Sequence, residues 1–251
     1  MNKYIIMIKI IAGEFAMIRE NIAQVREKIR RALNSRAEEK ITGSNVTIVA
    51  VTKTQPVTVI KGALEAGVDV FGENKVQEAA EKIPFVNDCA WHLIGHLQTN
   101  KAKKAVSLFD FIYSVDSLRL LAAIDREAAG RGKRQDVLLQ VNVAGEESKF
   151  GFLAEDLLDM TKQAKVFSHI RLRGLMIIAP ETATAESVRP VFKKGYELFC
   201  ALKNSWPENK GVDTLSMGMS GDFDVAIAEG ANNVRLGTVI FGKRSYSGND
   251  L

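Results

Sequence analysis

The stretch V-T-I-V-A-V-T-K-T-Q-P, residues 46–56, decides how the rest of this chain is interpreted. Its first six residues are apolar or β-branched, a composition typical of a buried strand, and Pro56 suits the start of a helix. Lys53 stands between the two, so we expect its stem in apolar surroundings and its amine at the mouth of the strand. Burial lowers the pKa of a lysine, and an uncharged amine attacks a carbonyl carbon to form a Schiff base. By position alone, a lysine that reaches out to water is the commoner outcome.

Strand and helix patterns alternate on both sides of this stretch. We predict strands at 46–52, 68–71, 90–94, 110–114, 136–142, 170–176, 213–216 and 233–236. We predict helices between them at 56–66, 74–83, 99–107, 117–130, 154–165, 185–204 and 221–229, with a closing segment at 238–246. Such alternation is typical of parallel strands joined by crossover helices. The pattern predicts the α/β class and a single (β/α)8 TIM-like barrel, with a doubly wound open sheet as the alternative.

An N-terminal helix precedes this alternating region. Apolar residues recur at near-helical spacing, namely Ile18, Ile22, Val25, Ile29 and Leu33. This spacing predicts a helix over residues 17–40. Residues 1–16 are predicted to be an extension outside the core, with translation starting at Met17 as one explanation. Residues 17–251 are predicted to form a single domain, because no linker-like stretch divides them.

The composition is that of an ordinary globular protein, with 46% hydrophobic and 25% charged residues. The formal charge of +4 suits an anionic small ligand or weak nucleic-acid contact and requires neither. Cys89 and Cys200 lie far apart without a CxxC motif, which argues against a disulfide scaffold or a zinc site and favours the reducing cytoplasm. The apolar run 4–11 is interrupted by Lys9 and is too short to span a bilayer, so we predict no membrane association.

In either fold, the chemistry belongs at the carboxyl ends of the strands. The residues of interest at those ends are Lys53, Glu73, Asn74, His92, Ser114, Asn142, Met176, Ser216 and Arg235. His92 lies between apolar neighbours, which favours a structural imidazole over one that faces the site.

One segment with the composition of an anion site is L-S-M-G-M-S-G-D, residues 215–222. Its glycines allow close backbone approach, and Ser220 is placed to begin a helix whose free N–H groups favour a phosphate. A capped helix without any ligand explains the segment equally well. Asp222 and Asp224 would oppose an anion unless they point away.

A second such segment is V-R-L-G-T, residues 234–238. Arg235 ends the last predicted strand, and Gly237 and Thr238 offer backbone and hydroxyl donors. Barrels often bind phosphate with the loops after their last two strands, and the two segments occupy those positions.

Seven motifs in a fixed order resemble those of one protein family. They are V-A-V-T-K-T at 49–54, F-G-E-N at 71–74, W-H-L-I-G at 91–95, L-Q-T-N-K at 97–101, R-G-L-M at 173–176, S-M-G-M-S at 216–220 and R-L-G-T at 235–238. Together they resemble the pyridoxal phosphate homeostasis proteins (the YggS/PROSC family), which are similar to the N-terminal barrel domain of alanine racemase. The resemblance runs from about residue 17 to residue 246.

The resemblance implies that the chain binds pyridoxal 5′-phosphate (PLP) and gives a role to seven residues. Lys53 would form the Schiff base, Asn74 would lie beside the cofactor, and Arg235 would approach the pyridine nitrogen. The residues that would hold the phosphate are Met219, Ser220, Gly237 and Thr238. Because an arginine keeps its proton at ordinary pH, the ring nitrogen would stay unprotonated, and the ring would be a weaker electron sink.

Three further features qualify the resemblance. His96 stands where the family commonly has a proline after the glycine, and we interpret it as a loop histidine. N-V-A-G-E-E-S-K-F-G, residues 142–151, resembles a family loop, and its Lys149 either receives a transferred aldehyde, holds a phosphate or is simply solvated. The basic residues Lys101, Lys103 and Lys104 are expected to be a solvated face with at most a steering role.

The resemblance implies a carrier that holds PLP for intracellular vitamin B6 homeostasis and delivers it to apo-enzymes, without robust catalysis. The alternative is a PLP-dependent amino-acid racemase with weak activity, which needs a second base opposite Lys53. Tyr113 and Tyr246 are candidates for that base by residue type only. Few aromatic residues (7%) and the absence of a basic-aromatic motif argue against nucleic-acid binding. We therefore expect a monomeric, cytoplasmic protein and assign no catalytic residue and no metal ligand.

Overall fold

The computed structural model describes residues 3–143, 145, 150–180 and 184–242. Within these ranges eight parallel strands form the barrel: β1 (Thr47–Val51), β2 (Val70–Glu73), β3 (Ala90–Leu93), β4 (Phe111–Val115), β5 (Gln135–Asn142), β7 (Ile170–Ile177), β8 (Thr214–Ser216) and β9 (Asn233–Leu236). A two-residue strand, β6 (Phe152–Leu153), adds to the end of β5. Because β1 pairs with both β2 and β9, and β4 also pairs with β5, the sheet closes on itself. The predicted (β/α)8 barrel is confirmed.

Helices surround the barrel at the predicted crossover positions. The elements are α1 (Lys3–Asn34), α2 (Val57–Glu65), α3 (Val76–Lys82), α4 (Ala102–Leu108), α5 (Leu118–Ala129), α6 (Leu157–Ala164), α7 (Arg189–Ser205), α8 (Phe223–Ala228) and α9 (Thr238–Phe241). Three 3₁₀ turns, at Ile83–Phe85, Thr99–Lys101 and Ala185–Val188, continue or introduce these helices. Within the described part of the chain, none of the helices is both long and apolar enough to cross a membrane.

Helix α1 packs against α2, α8 and α9, and so joins the first and last helices of the barrel. The Asn21 amide donates a hydrogen bond of 2.9 Å to the carbonyl of Ile240 in α9. The helix begins at Lys3 rather than at the predicted residue 17, and the Phe15 ring packs onto Gly62 of α2. It ends at Asn34 rather than at residue 40. The assignment of residues 1–16 as an extension remains a prediction.

Two apolar layers follow from the alternation of side chains along each strand. Val49 points into the barrel, where it packs in one cluster with Tyr113, Leu138 and Met176. Ala50, the next residue, lies in the layer between strands and helices. The interior of the barrel is therefore filled by side chains, and one of the cavities lies toward the carboxyl end, where the loops follow the strands.

Candidate functional site

A cavity of about 500 Å³ opens beside the carboxyl ends of β1 and β9 and the loops after β7 and β8. This volume lies within the range of small-molecule and cofactor sites. The residues that line it come from those four places and are Val51, Lys53, Pro180, Ala185, Met219, Ser220, Gly221, Asp222, Arg235, Gly237 and Thr238.

Lys53 follows β1 and is half-buried in the wall of this cavity. Its amine has no hydrogen-bond or ion-pair partner among the described residues. The next residue, Thr54, has a φ of 65°, which a β-branched residue rarely adopts. The Thr54 hydroxyl donates a hydrogen bond of 2.6 Å to the Lys53 carbonyl. Uncommon backbone geometry of this kind tends to occur at functional sites, and here it lies directly beside an unpartnered amine.

Arg235 brings a buried positive charge to the cavity from the end of β9. The residue is 5% exposed, and its guanidinium donates hydrogen bonds to the Ser216 hydroxyl (2.7 Å) and the Ile177 carbonyl (3.0 Å). No carboxylate lies within ion-pair distance of it among the described residues. Burial lowers the pKa of Arg235 to about 10, so it stays charged at neutral pH. A buried cation without a carboxylate partner is costly unless a ligand group completes its environment.

Ser220 joins the two segments that follow β8 and β9. Its hydroxyl oxygen accepts hydrogen bonds from the backbone N–H groups of Gly237 (3.2 Å) and Val239 (3.4 Å). Asp222 lies in the same wall and accepts a hydrogen bond of 2.6 Å from the Met219 N–H. Burial raises the pKa of Asp222, and the Met219 N–H and Arg235 oppose that rise. One end of the cavity thus has a cluster of three backbone N–H groups, those of Met219, Gly237 and Val239. They donate to the side-chain oxygens of Ser220 and Asp222.

A buried ion cluster lies on the other side of Lys53; we call it the Lys82 cluster and define it as Thr52, Glu73, Glu78 and Lys82. The Lys82 amine donates hydrogen bonds to the Thr52 carbonyl (2.7 Å) and to Oε1 of Glu73 and of Glu78 (2.6 Å each). The Thr52 hydroxyl also donates to Glu73 Oε1, at 2.7 Å. Glu73 is fully buried, and burial raises its pKa despite the Lys82 bond.

Inside the barrel, three buried polar side chains, those of His92, Tyr113 and Asn233, are joined by hydrogen bonds. The Tyr113 hydroxyl lies 2.9 Å from His92 Nδ1 and accepts a hydrogen bond of 2.8 Å from the Asn233 amide. Burial lowers the pKa of His92 to about 3 and raises that of Tyr113, so both are neutral at physiological pH. The structural interpretation of His92 fits this geometry, because the ring is buried and packs edge-on against Phe111.

Comparison with known proteins identifies the family. A family model described as alanine racemase, N-terminal domain, matches residues 16–245. The pyridoxal phosphate homeostasis protein of Haemophilus influenzae is 38% identical over 234 residues, which cover 92% of this chain and 97% of that protein. The protein of the same name from Pseudomonas aeruginosa is 40% identical over 231 residues, covering 91% and 96%. This chain belongs to the pyridoxal phosphate homeostasis family.

A solved structure extends the comparison to three dimensions. The structure of PipY from Synechococcus elongatus with PLP bound matches with a TM-score of 0.77 at 36% identity, covering 90% of this chain and all of PipY (100%). The resemblance drawn from the seven sequence motifs is therefore confirmed at the level of family and fold.

Six of the seven residues that the family resemblance singles out line this cavity: Lys53, Met219, Ser220, Arg235, Gly237 and Thr238. Asn74 follows β2 and is not among the lining residues. Its backbone packs against Gly95, where a Cβ atom would lie 2.3 Å from the Asn74 carbonyl oxygen. Lys149 and Tyr246 lie outside the described residues.

Other features of the site were not predicted from the sequence. His96, the departure from the family pattern, pairs with Asp116 at 3.0 Å and stacks on Phe150 with ring centroids 3.8 Å apart. Lys82 and Glu78 carried no sequence signal beyond an acidic and a basic residue four positions apart, a spacing typical of exposed helix surfaces. Asp222 was recognised only as an obstacle to an anion, whereas the structure makes it a partner of Met219.

Proposed function

We propose that this chain binds PLP in the cavity at the carboxyl end of the barrel, holds it as a Schiff base on Lys53 and takes part in intracellular PLP homeostasis. The observation that carries the proposal is one cavity that joins a partnerless lysine amine, a buried arginine and a cluster of backbone N–H groups. Those groups match the aldehyde, the pyridine nitrogen and the phosphate, which are three of the polar groups of PLP. The PLP-bound structure of PipY supports the same ligand.

Each wall of the cavity has its own proposed role. Lys53 provides the amine, and Arg235 lies toward the ring nitrogen. Met219, Ser220, Gly237 and Thr238 hold the phosphate. Asn74 is proposed to lie at the edge of the cofactor, although the cavity wall is built without it.

The proposed chemistry at Lys53 requires no other reactant. When uncharged, the Lys53 amine would supply the lone pair that bonds to the aldehyde carbon, and the aldehyde oxygen would leave as water with the two amine protons. When bound, PLP can act as an electron sink for carbanions, a role that depends on the group facing its ring nitrogen. Arg235 keeps its own proton at neutral pH, so it would donate a hydrogen bond to that nitrogen without protonating it.

We propose that the protein is a carrier rather than an enzyme, acting as a monomer that delivers PLP to apo-enzymes in the cytoplasm. The racemase alternative needs a second base on the face of the substrate opposite Lys53. Tyr113, a candidate by residue type, is fully buried, bonded to His92 and Asn233, and has a raised pKa. It is therefore unsuited to remove a proton at neutral pH.

The decisive experiment is borohydride reduction of the PLP-loaded protein followed by peptide mapping. We expect the reduced cofactor on Lys53, and we expect Lys53→Ala to stay folded while losing the visible absorption band of the adduct. Cofactor found chiefly on Lys149 or Lys101 would contradict the assignment. In the same preparation, exchange of the Cα proton of L- and D-alanine in deuterated water tests the alternative. Turnover of about 1–10³ per second, as is typical of enzymes, would overturn the carrier proposal.

A further inference from the structure

The backbone on both sides of Lys53 is held by one helix, α3. On the amino-terminal side, the Lys82 amine donates a hydrogen bond of 2.7 Å to the carbonyl of Thr52, the residue immediately before Lys53. Lys82 is the last residue of α3 and is 8% exposed, so this bond is shielded from water. The carbonyl that precedes Lys53 is therefore fixed by a buried charged donor.

On the carboxyl-terminal side, the same helix holds the next peptide group. Glu78 Oε1 accepts a hydrogen bond of 2.5 Å from the backbone N–H of Thr54, the residue immediately after Lys53. Thr54 is the residue whose φ of 65° is unfavourable for a β-branched side chain. The bond to Glu78 therefore retains a backbone conformation that the sequence alone disfavours.

The two carboxylates of the Lys82 cluster differ in how their pKa values are shifted. Burial acts to raise the pKa of Glu78, but hydrogen bonds from Lys82 and Thr54 outweigh it and leave the pKa lowered. Burial raises the pKa of Glu73 instead, and Glu73 Oε2 has no hydrogen-bond partner among the described residues. Glu78 is thus the carboxylate best suited to pair with Lys82 as an ion. Its other bond goes to the Thr54 N–H, beside the cavity lysine.

We propose that Glu78 and Lys82 are positioning residues for Lys53: they hold the peptide groups on either side of it and so direct its side chain into the cavity. The inference rests on the proposed function and deepens it, since it names the groups that orient the amine. A lysine has a long, flexible stem, so its approach to a carbonyl carbon depends on the direction in which that stem leaves the backbone. Misplacement of a reacting group by about 1 Å can slow a reaction by about 100-fold.

The test compares covalent and noncovalent binding in Glu78→Ala, Glu78→Gln and Glu81→Ala. Glu81 is the matched control, because it is an exposed glutamate on α3 with no hydrogen-bond or ion-pair partner among the described residues. One measurement is the rate at which PLP forms its borohydride-trappable adduct on Lys53. The other is the affinity for pyridoxine 5′-phosphate, which has the ring and phosphate of PLP and no aldehyde.

We expect Glu78→Ala to form the adduct about 10- to 100-fold more slowly while its affinity for pyridoxine 5′-phosphate stays within about twofold of wild type. Glu78→Gln keeps an oxygen for the Thr54 N–H and should recover most of the rate. Glu81→Ala should match wild type in both measurements. Lys82→Met should repeat the Glu78→Ala result from the other side of Lys53.

Two outcomes would overturn the inference alone. One is a Glu78→Ala adduct rate equal to that of wild type. The other is a parallel loss of adduct rate and pyridoxine 5′-phosphate affinity, which would mean that the cluster only maintains the fold. A wild-type protein that forms no adduct on Lys53 would overturn the proposed function itself, and the positioning role with it.

Discussion

The side chains of Ser220 and Asp222 accept hydrogen bonds from backbone N–H groups that the proposed site needs for a phosphate. The Ser220 hydroxyl accepts from Gly237 and Val239, and the Asp222 carboxylate accepts from Met219. A bound phosphate would have to share or replace these oxygens. Removal of the Ser220 hydroxyl would therefore lose one donor to the phosphate and free two others, so this residue is a poor probe of the site.

Thr238 gives a cleaner test, because its exposed side chain lines the cavity and has no hydrogen-bond partner among the described residues. Thr238→Val removes one hydrogen bond to a charged group, worth about 1.5–3 kcal/mol. We expect the dissociation constant for PLP to rise about tenfold to a hundredfold. Thr58→Val, an exposed and equally unpartnered threonine on α2, is the control and should leave PLP binding unchanged. Equal affinities in the two variants, measured by titration, would place the phosphate elsewhere.

At the scale of elements, the sequence predicted every barrel strand and crossover helix because each carries its own hydrophobic pattern. Boundaries were less predictable where tertiary pairing decides them. The second strand was predicted at 68–71 but is observed at Val70–Glu73, since Gly72 and Glu73 pair with β3 and their own pattern gives no sign of it. Helix α1 stops at Asn34, and Arg36 beyond it donates to the carbonyls of Ile227 and Ala231, contacts that no local pattern encodes.

The candidate site likewise contains residues that the sequence predicts and residues that only tertiary packing reveals. Residues that line the cavity and stand in the family motifs, such as Lys53 and Arg235, could be named from the sequence because the motifs contain them. The Lys82 cluster could not, because an acidic and a basic residue four positions apart resemble a solvated pair. Their burial depends on how α3 packs against the ends of β1 and β2. Those tertiary contacts cannot be inferred from the local sequence.

Strand β7 contains a β-bulge, from which we predict the effect of one substitution on stability. Its register against β5 shifts between Leu172 and Gly174, and Gly174 has a φ of 148°. A Cβ atom at Gly174 would lie 1.8 Å from the Thr214 carbonyl oxygen of β8. The β-bulge places Gly174 of the R-G-L-M motif at a crowded position, so we expect that no side chain fits there without a shift of the backbone.

We expect Gly174→Ala to lower the free energy of unfolding by about 2–6 kcal/mol, since backbone strain and overpacking each cost about 1–3 kcal/mol. Gly132→Ala is the matched control, because Gly132 has a φ of 62° and no atom within 4 Å of a built Cβ. The control should lose only the strain contribution, about 1 kcal/mol. Denaturant titration of both variants measures the difference, and equal losses would contradict a steric role for Gly174.

At the scale of the whole molecule, the buried histidine His92 makes the free energy of unfolding depend on pH. Burial lowers the pKa of His92 to about 3, whereas an unfolded histidine titrates near pH 6.5. Between those values the unfolded chain holds a proton that the native state lacks, so stability is retained above about pH 6.5 and lost as the pH falls toward 3. The loss from this one group is about 1.4 kcal/mol per pH unit.

His92→Gln removes the titrating ring, so we expect its free energy of unfolding to fall less steeply than that of wild type between pH 6.5 and pH 5. Comparison of the two slopes cancels the contribution of every other ionisable group, including the opposite effect of Glu73, whose pKa burial raises. Denaturant titrations at three or more pH values give the slopes. Parallel slopes would mean that His92 is protonated in the native protein.

Closure of the barrel through β1 and β9 also sets an order of events during synthesis. Lys53 follows the first strand, and Thr238 follows the last, 185 residues later (238 minus 53). At about 5–20 residues per second, a ribosome needs on the order of 10–40 s to translate that interval. For that time the nascent chain carries the lysine without the loops that complete the cavity. The adduct that we propose can therefore form within the cavity only when translation of the barrel is nearly finished.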